Sequence, residues 1–483
     1  MNLSLLTHEW LVVGLGVAIL LIDLWVPAAH KRKLGYLAAL GMLVVLVYSF
    51  LAFSAGPEQT RFAFGGMYVL DGLALFFKRF FVLATLIVLL MSIEFAEFIE
   101  SGIAEYYALV LFALAGMLFA SSANHFALLF VSLELITVTF YVLTSFQRAR
   151  VTSLEAGVKY LVIGALSTAF TVFGIALVYG ISRHLDFGGL ASVAGQFSGN
   201  RIFLLGLLLV MVGLGFKIAA FPFQIWAPDV YQGAPSPTTA FLAVGSKAAG
   251  FVLLLRVLFV AVPATTAQWS KLLIVISAIT ILYGNLCAIP QRNLKRLFGY
   301  SSIAHAGYML LGVAALSAAG QSAVLYYLSG YLFTVLGAFT VICLVMTQVE
   351  GEDVMALAGL NQRAPLLALT MTLAMVSLAG IPPLAGFFGK FLLIRAALAR
   401  GASDPAYYWL VTVAIAGVVI SLYYYFGVVR AIFWGKEAHA NPIRTSIPIR
   451  ACLYACMAGM LVLGLFPNWL VNAATEAVKA LRP

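Results

Sequence analysis

Six ionisable side chains sit inside long apolar stretches of this 483-residue chain: Glu134, Lys159, Lys217, Lys247, His305 and Lys390. A charge held within a bilayer is costly unless it is paired or hydrated, so such residues mark relays, pathways or buried ion pairs. Four lysines, one histidine and one carboxylate form a set able to hand on protons. Burial lowers the proton affinity of a lysine, and a nearby carboxylate restores it. A pair whose separation changes therefore loads and releases a proton with no redox chemistry. Lysine suits that task better than arginine, which keeps its proton throughout.

Each residue also has a plainer role. Glu134, in Leu133-Glu134-Leu135-Ile136, and Lys247, in Gly245-Ser246-Lys247, would serve in structural ion pairs. Lys217 and Lys390 lie beside helix-breaking residues and would cap the broken ends. Lys159 follows Glu155 by four residues, the spacing of a local pair on one helix face. His305 would be a buried histidine that only hydrogen-bonds. Asp229, after Pro228, reads as structural, and Lys78, Arg79 and Arg256 snorkel or pair.

The elements that position these groups are membrane spans. Hydrophobic residues make up 63% of the chain and charged residues 10%, whereas a soluble fold of this size needs a polar exterior. Runs long enough to cross a bilayer recur near 9–28, 34–54, 73–95, 104–122, 125–146, 159–181, 202–222, 238–262, 271–289, 298–318, 322–347, 365–398, 406–430 and 450–470. The polar connections are short, so residues 1–483 are expected to form one membrane domain: an all-α integral membrane fold of about fourteen transmembrane helices. Cys287, Cys343, Cys452 and Cys456 all lie in apolar spans without a CxxC pattern, which points to packing rather than to disulfides or metal.

The net charge of +10 speaks for nucleic acid only if its location is ignored. Loops 31–33, 148–150, 292–296, 363 and 430–450 hold thirteen Lys/Arg. The alternate loops, the span ends beside them and the C-terminus hold eight: Arg61, Arg183, Arg201, Lys271, Arg395, Arg400, Lys479 and Arg482. The excess orients the first set to the cytoplasm. One connection disagrees, since Glu94, Glu97, Glu100 and Glu105 make it acidic; acidic residues weigh little in orientation, and they read as a solvated face or a partner contact. No basic residue precedes the first span and Lys31-Arg32-Lys33 follow it, so it is read as a retained span rather than a signal peptide. An even span number then leaves both termini outside.

Two spans are expected to be discontinuous. Pro365–Leu398 would be about 51 Å long as one helix, far beyond the hydrocarbon core even with tilt. Its middle reads Ala379-Gly380-Ile381-Pro382-Pro383-Leu384-Ala385-Gly386, where the prolines remove amide donors and the glycines relax the backbone. Gly213-Leu214-Gly215-Phe216-Lys217, followed by Pro222 and Pro228, should break as well. Irregular backbone at membrane depth is tolerated only where protein or a water-lined cavity satisfies it. The two breaks also suggest an internal repeat. Lys217 lies 83 residues after Glu134, and Lys390 lies 85 after His305. Units 104–262 and 271–430 would each hold five spans, and five being odd, their topologies would be opposite.

Gly213-Leu214-Gly215-Phe216-Lys217, Pro222-Phe223 and Trp226-Ala227-Pro228-Asp229-Val230-Tyr231-Gln232-Gly233-Ala234-Pro235 resemble a signature of the antiporter-like membrane subunits of respiratory complex I. So do Asn293-Leu294-Lys295-Arg296-Leu297 with Gly299-Tyr300-Ser301-Ser302-Ile303 and His305. So too does Ser377-Leu378-Ala379-Gly380-Ile381-Pro382 with Gly389-Lys390-Phe391. Within that family, the length, Ser153-Leu154-Glu155-Ala156 with Lys159-Tyr160, and lysine at 390 favour the N branch over the M branch. The missing lateral helix argues against the L branch. The resemblance implies fourteen spans, inverted repeats, a bacterial inner-membrane location with periplasmic termini, and a polar axis formed by Glu134, Lys217, Lys247 and Lys390. It implies other membrane and peripheral complex I subunits, the lipid bilayer and protons as partners, with no nucleic acid. No cofactor is expected in this chain, because its motifs say nothing of nicotinamide, flavin or iron–sulfur binding. Three functions stay open: a proton-translocating subunit driven by redox work elsewhere, an independent cation/proton antiporter subunit, and a passive membrane scaffold.

Overall fold

The computed structural model of the protein describes residues 2–52, 60–99, 101–348, 351–435 and 442–481. Glu100, Lys436 and Arg482 of the charge pattern lie outside these residues.

Three helices open the chain: α1 (Thr7–Asp23), α2 (Leu34–Ala52) and α3 (Gly72–Phe95). A two-stranded hairpin, β1 (Arg61–Ala63) and β2 (Tyr68–Leu70), leads into α3. Asp71 caps α3 by accepting a hydrogen bond from the Ala74 amide at 2.7 Å, satisfying one of the orphan donors of the first turn. Then come α4 (Ile103–Ser121), α5 (Phe126–Thr144), α6 (Val151–Ser182), the short α7 (Phe187–Ala194) and α8 (Arg201–Ile218). Ala219 takes a left-handed conformation and ends α8. The chain resumes as α9 (Trp226–Gly233), then α10 (Ser236–Phe241) and α11 (Lys247–Arg256), which π turns Leu242–Ser246 and Val257–Ala261 extend into one span. The second half holds α12 (Ser270–Ala288), α13 (Leu294–Ala314), α14 (Ala318–Gln348), the short α15 (Leu360–Arg363) and α16 (Pro365–Ala379). It ends with α17 (Ala385–Gly401), α18 (Ala406–Trp434), α19 (Ile447–Leu465) and the amphipathic α20 (Asn468–Val478).

Thirteen helices among the described residues are long and apolar enough to cross a membrane. The split pair α16 and α17 makes the fourteenth passage, so the sequence count holds. Both expected breaks occur, after Ile218 and between Ala379 and Ala385. One boundary moves: α6 starts at Val151, eight residues before the expected 159, because Glu155 and Lys159 pair along the helix instead of marking a loop. The π turn just before Lys247 ends on Gly245 and Ser246.

Burial sorts the bundle into an interior and a rim. The spans Ser236–Ala261 and Leu294–Ala314 have 94% of their central windows buried, against 28% for α6. Helices approach closely through small residues, as membrane helices do where backbone packing replaces a hydrophobic drive. A Cβ on Gly174 of α6 would lie 2.6 Å from the Gly206 carbonyl of α8. At the second break the constraint is harder, since a Cβ on Gly386 would sit 1.8 Å from the Ser377 carbonyl. The start of α17 is thus wedged directly against the end of α16.

The two ends of the chain share a face. The Tyr68 hydroxyl donates to the Leu5 carbonyl at 3.1 Å, and a Cβ on Gly72 would meet Ala477 of α20 at 3.6 Å. On the other face Arg32 pairs with Glu94 at 2.8 Å and with Glu97. The acidic connection that disagreed with the charge pattern is therefore partly neutralised by the neighbouring basic loop rather than left as a free acidic face.

Candidate functional site

Lys217 is the second-last residue of α8, held at the break by backbone that finds partners elsewhere. The Trp226 indole donates to the Phe216 carbonyl at 3.1 Å, and the Phe221 amide donates to Thr280 Oγ1 at 3.1 Å. This satisfies the unwound segment as a low-dielectric setting demands. Lys217 Nζ, with the residue 3% exposed, donates to Thr137 Oγ1 at 2.9 Å. Thr137 lies three residues after Glu134 on α5, so the two share a face. Glu134 does not touch Lys217 within 4 Å; its Oε1 accepts from Thr168 Oγ1 at 2.7 Å. The carboxylate and the ammonium instead line one small cavity of about 20 Å³, with Thr137, Ser167, Thr168 and Thr171. That is room for one water.

Lys247, 2% exposed, lies just beyond the π turn. Its Nζ donates to the Ser302 carbonyl of α13 at 2.5 Å and to the Ser302 hydroxyl. Tyr231 of α9 shares a 2.9 Å hydrogen bond with the same hydroxyl. A Cβ on Gly250, one turn after Lys247, would lie 3.3 Å from the Lys217 stem. The absence of that Cβ lets the two lysine-bearing helices come together.

One turn along α13, His305 is enclosed by tyrosines. Its Nδ1 bonds Tyr327 at 2.5 Å and its Nε2 bonds Tyr425 at 2.8 Å, while Tyr425 reaches Ser301 at 2.5 Å. The Tyr331 ring lies 5.2 Å from the imidazole and 6.0 Å from Lys247 Nζ. Lys390, 4% exposed, completes the row. Its Nζ donates to the Leu378 and Ala379 carbonyls at 2.7 and 3.2 Å and lies 4.9 Å from the Tyr308 ring. It thus caps the carbonyl end of α16, where a positive charge is favoured, and Gly380 leaves room for its stem.

Lys217, Lys247, His305 and Lys390 therefore lie along a buried row, with Glu134 at one end. Lys159 stands apart. Its side chain is 41% exposed and bridges Glu155 and Asp229, each at 2.7 Å, and Arg296 also binds Asp229. Hydroxyls flank the row, Thr137 at Lys217, Ser302 and Tyr231 at Lys247, and Tyr327 and Tyr425 at His305, and each can donate and accept at once, which suits them to handing on protons. Tyr327, Tyr331 and Tyr425 went unnoticed in the sequence, although the pairs Tyr326-Tyr327 and Tyr424-Tyr425 were a visible signal, while Ser302 and Tyr231 were seen only as parts of motifs. Two further ion pairs, each buried on both sides, lie off the row. Lys78 pairs with Glu9 and meets the Tyr68 hydroxyl at 2.6 Å; Arg256 holds Asp71 through two bonds of 2.8 and 3.0 Å. Both cations pair rather than snorkel. Among the described residues no cluster of histidine, cysteine and carboxylate is arranged to hold a metal ion.

Residues 123–421 match the family described as NADH:quinone oxidoreductase/Mrp antiporter, TM. The NADH-quinone oxidoreductase subunit N of Trichlorobacter lovleyi is 40% identical, over 99% of this chain and 98% of the relative. That of Desulforamulus reducens is 38% identical, with the same coverage. Among solved structures, a chain of respiratory complex I from Thermus thermophilus with bound aureothin is 34% identical, with a TM-score of 0.80 over 96% of this chain and 99% of that one. A chain of the Mrp complex from Dietzia is 21% identical with a TM-score of 0.82, over 100% and 98% of the two chains. At that identity the likeness shows a common fold only.

Proposed function

Because the chain belongs to the subunit N family of NADH-quinone oxidoreductases, we propose that it is the membrane subunit through which redox work on partner subunits of complex I moves protons. The observation that carries this is the row itself: a carboxylate, three lysines and a histidine held within apolar spans, with hydroxyls beside them. A scaffold has no need of so many costly groups. Full-length relatives named subunit N favour coupling to electron transfer over a free-standing antiporter. The redox centres belong to the partners, and this chain supplies the relay.

In the proposed cycle, motion that brings Glu134 closer to Lys217 or takes it away changes how well that ammonium is tolerated. The proton passes to Lys247, across Ser302, His305 and the tyrosine hydroxyls, and then to Lys390. Units 104–262 and 271–430 act as inverted repeats, each with one broken helix and one lysine at its break. The expected result for Lys247→Met is an assembled complex whose proton translocation in reconstituted vesicles falls about tenfold or more, a barrier rise of about 1.4 kcal/mol. Unchanged translocation by that variant would leave only a structural role.

The chain is further proposed to lie in a bacterial inner membrane with both termini periplasmic, on the Lys/Arg asymmetry. Cysteines placed at Ser4 and Ala480 should react with an impermeant thiol reagent from the periplasmic side alone. Reaction from the cytoplasmic side would reverse the orientation.

A further inference from the structure

The row needs a place where protons join it, and one ion pair outside the row, its lysine buried, borders a cavity. On the face opposite the termini, a space of about 380 Å³ is bordered by Gln147, Arg150, Ser236, Lys295, Thr347 and Glu352. Lys295, the second residue of α13, is only 1% exposed. Its Nζ lies 3.1 Å from Glu352 Oε1 and donates to the Ala234 carbonyl at 3.1 Å. Glu352 is further held by Arg150 at 3.1 Å and by the Asn293 amide at 3.0 Å. Lys295 precedes Ser302 by seven residues, two turns on the same face of α13 and about 10 Å of rise. Ser302 is the acceptor of Lys247. Ala234, which binds Lys295, follows Tyr231 by three residues, and Tyr231 bonds Ser302. The cavity, the ion pair and Lys247 are thus connected through two independent stretches of chain, α13 and the α9–α10 link.

We propose that the Lys295–Glu352 pair is the gate through which protons from the loop face load Lys247. This rests on the proton-relay function above. In the closed state the ammonium and carboxylate are paired. Water in the vestibule delivers a proton to the Glu352 carboxylate, which becomes the neutral acid. Lys295, deprived of its counter-charge, passes a proton by way of water and the Tyr231 and Ser302 hydroxyls to the amine form of Lys247. Lys295 is left as the amine, takes the proton from Glu352, and the pair closes. One proton has moved inward, and the gate is restored without any change of oxidation state.

The test uses the whole complex in vesicles, with NADH oxidation by an artificial acceptor as the measure of assembled enzyme. Glu352→Gln and Lys295→Arg are expected to assemble and to translocate protons about tenfold more slowly, while Glu352→Asp recovers most of the rate. Arginine keeps the charge and the pairing but cannot give up its proton near neutral pH, so a purely structural pair would be rescued by it. Full translocation by either variant, with Lys247→Met impaired, overturns the gate and leaves the relay standing. Normal translocation by Lys247→Met as well overturns the relay beneath it. Thr347→Cys supplies a check that does not depend on charge changes. A bulky thiol reagent added from the loop face should slow translocation in that variant, and a labelled complex that pumps at full rate would overturn the vestibule.

Discussion

Lys390→Arg is expected to assemble and yet fail to pump. Lys390 has two jobs that arginine separates. The first is electrostatic and structural: its ammonium donates to the Leu378 and Ala379 carbonyls at the end of α16. A buried carbonyl left without a donor costs about 1–3 kcal/mol, so Lys390→Met loses stability as well as the titrating group. Arginine keeps the charge and offers more donors to the same carbonyls. The second, which the proposed relay assigns to it, is release of a proton, and arginine cannot perform that at physiological pH. If capping were the whole role, Lys390→Arg would restore translocation to near the native rate. If Lys390 stores and releases a proton, translocation stays down about tenfold or more despite normal assembly. Proton movement in reconstituted vesicles, normalised to NADH oxidation with an artificial acceptor, separates the two. Full pumping by the assembled arginine variant would count decisively against deprotonation at this position.

The breaks and the ionisable residues were legible because each carries its penalty in its own local sequence. Gly380-Ile381-Pro382-Pro383 cannot continue a helix whatever surrounds it, and a lysine in an apolar run is costly wherever its partner lies. Partners were another matter. Glu9 and Lys78 lie 69 residues apart, and Asp71 and Arg256 lie 185 apart; only the packed bundle brings them together. Tyr327, Tyr425 and Ser302 are neutral residues common in apolar spans. Nothing local says that they face His305 and Lys247 rather than lipid, because the facing is set by how α13, α14 and α18 are rotated against each other. The hairpin was too short to show an alternating pattern, with three residues in each strand. The start of α6 was missed for another reason: Glu155 and Lys159 put charge ahead of the apolar run, so the span was started at 159 although their spacing of four already fits one helix face. That pair, with Asp229 beyond it, is also what holds Lys159 away from the row.

Glu134→Gln should have the second large effect, and the geometry makes its outcome informative. The carboxylate and the Lys217 ammonium line one water-sized cavity, each hydrogen-bonded to its own threonine. At an effective dielectric of about 20, two unit charges about 4 Å apart attract by about 4 kcal/mol, and the attraction falls with distance; across the shared cavity it offsets part of the cost of burying the Lys217 ammonium. Glutamine keeps the shape of the side chain and an oxygen to accept from Thr168, so folding and assembly should survive. Only the field is lost. Translocation and coupled turnover are expected to fall about tenfold or more. Glu134→Asp keeps the field, gives up reach toward Thr168, and should be milder. The order aspartate above glutamine is the signature of action by charge. If hydrogen bonding to Thr168 were the true role, the order would reverse, because glutamine retains that bond and the shorter aspartate does not. Normal pumping by an assembled Glu134→Gln complex would remove the carboxylate from the mechanism altogether.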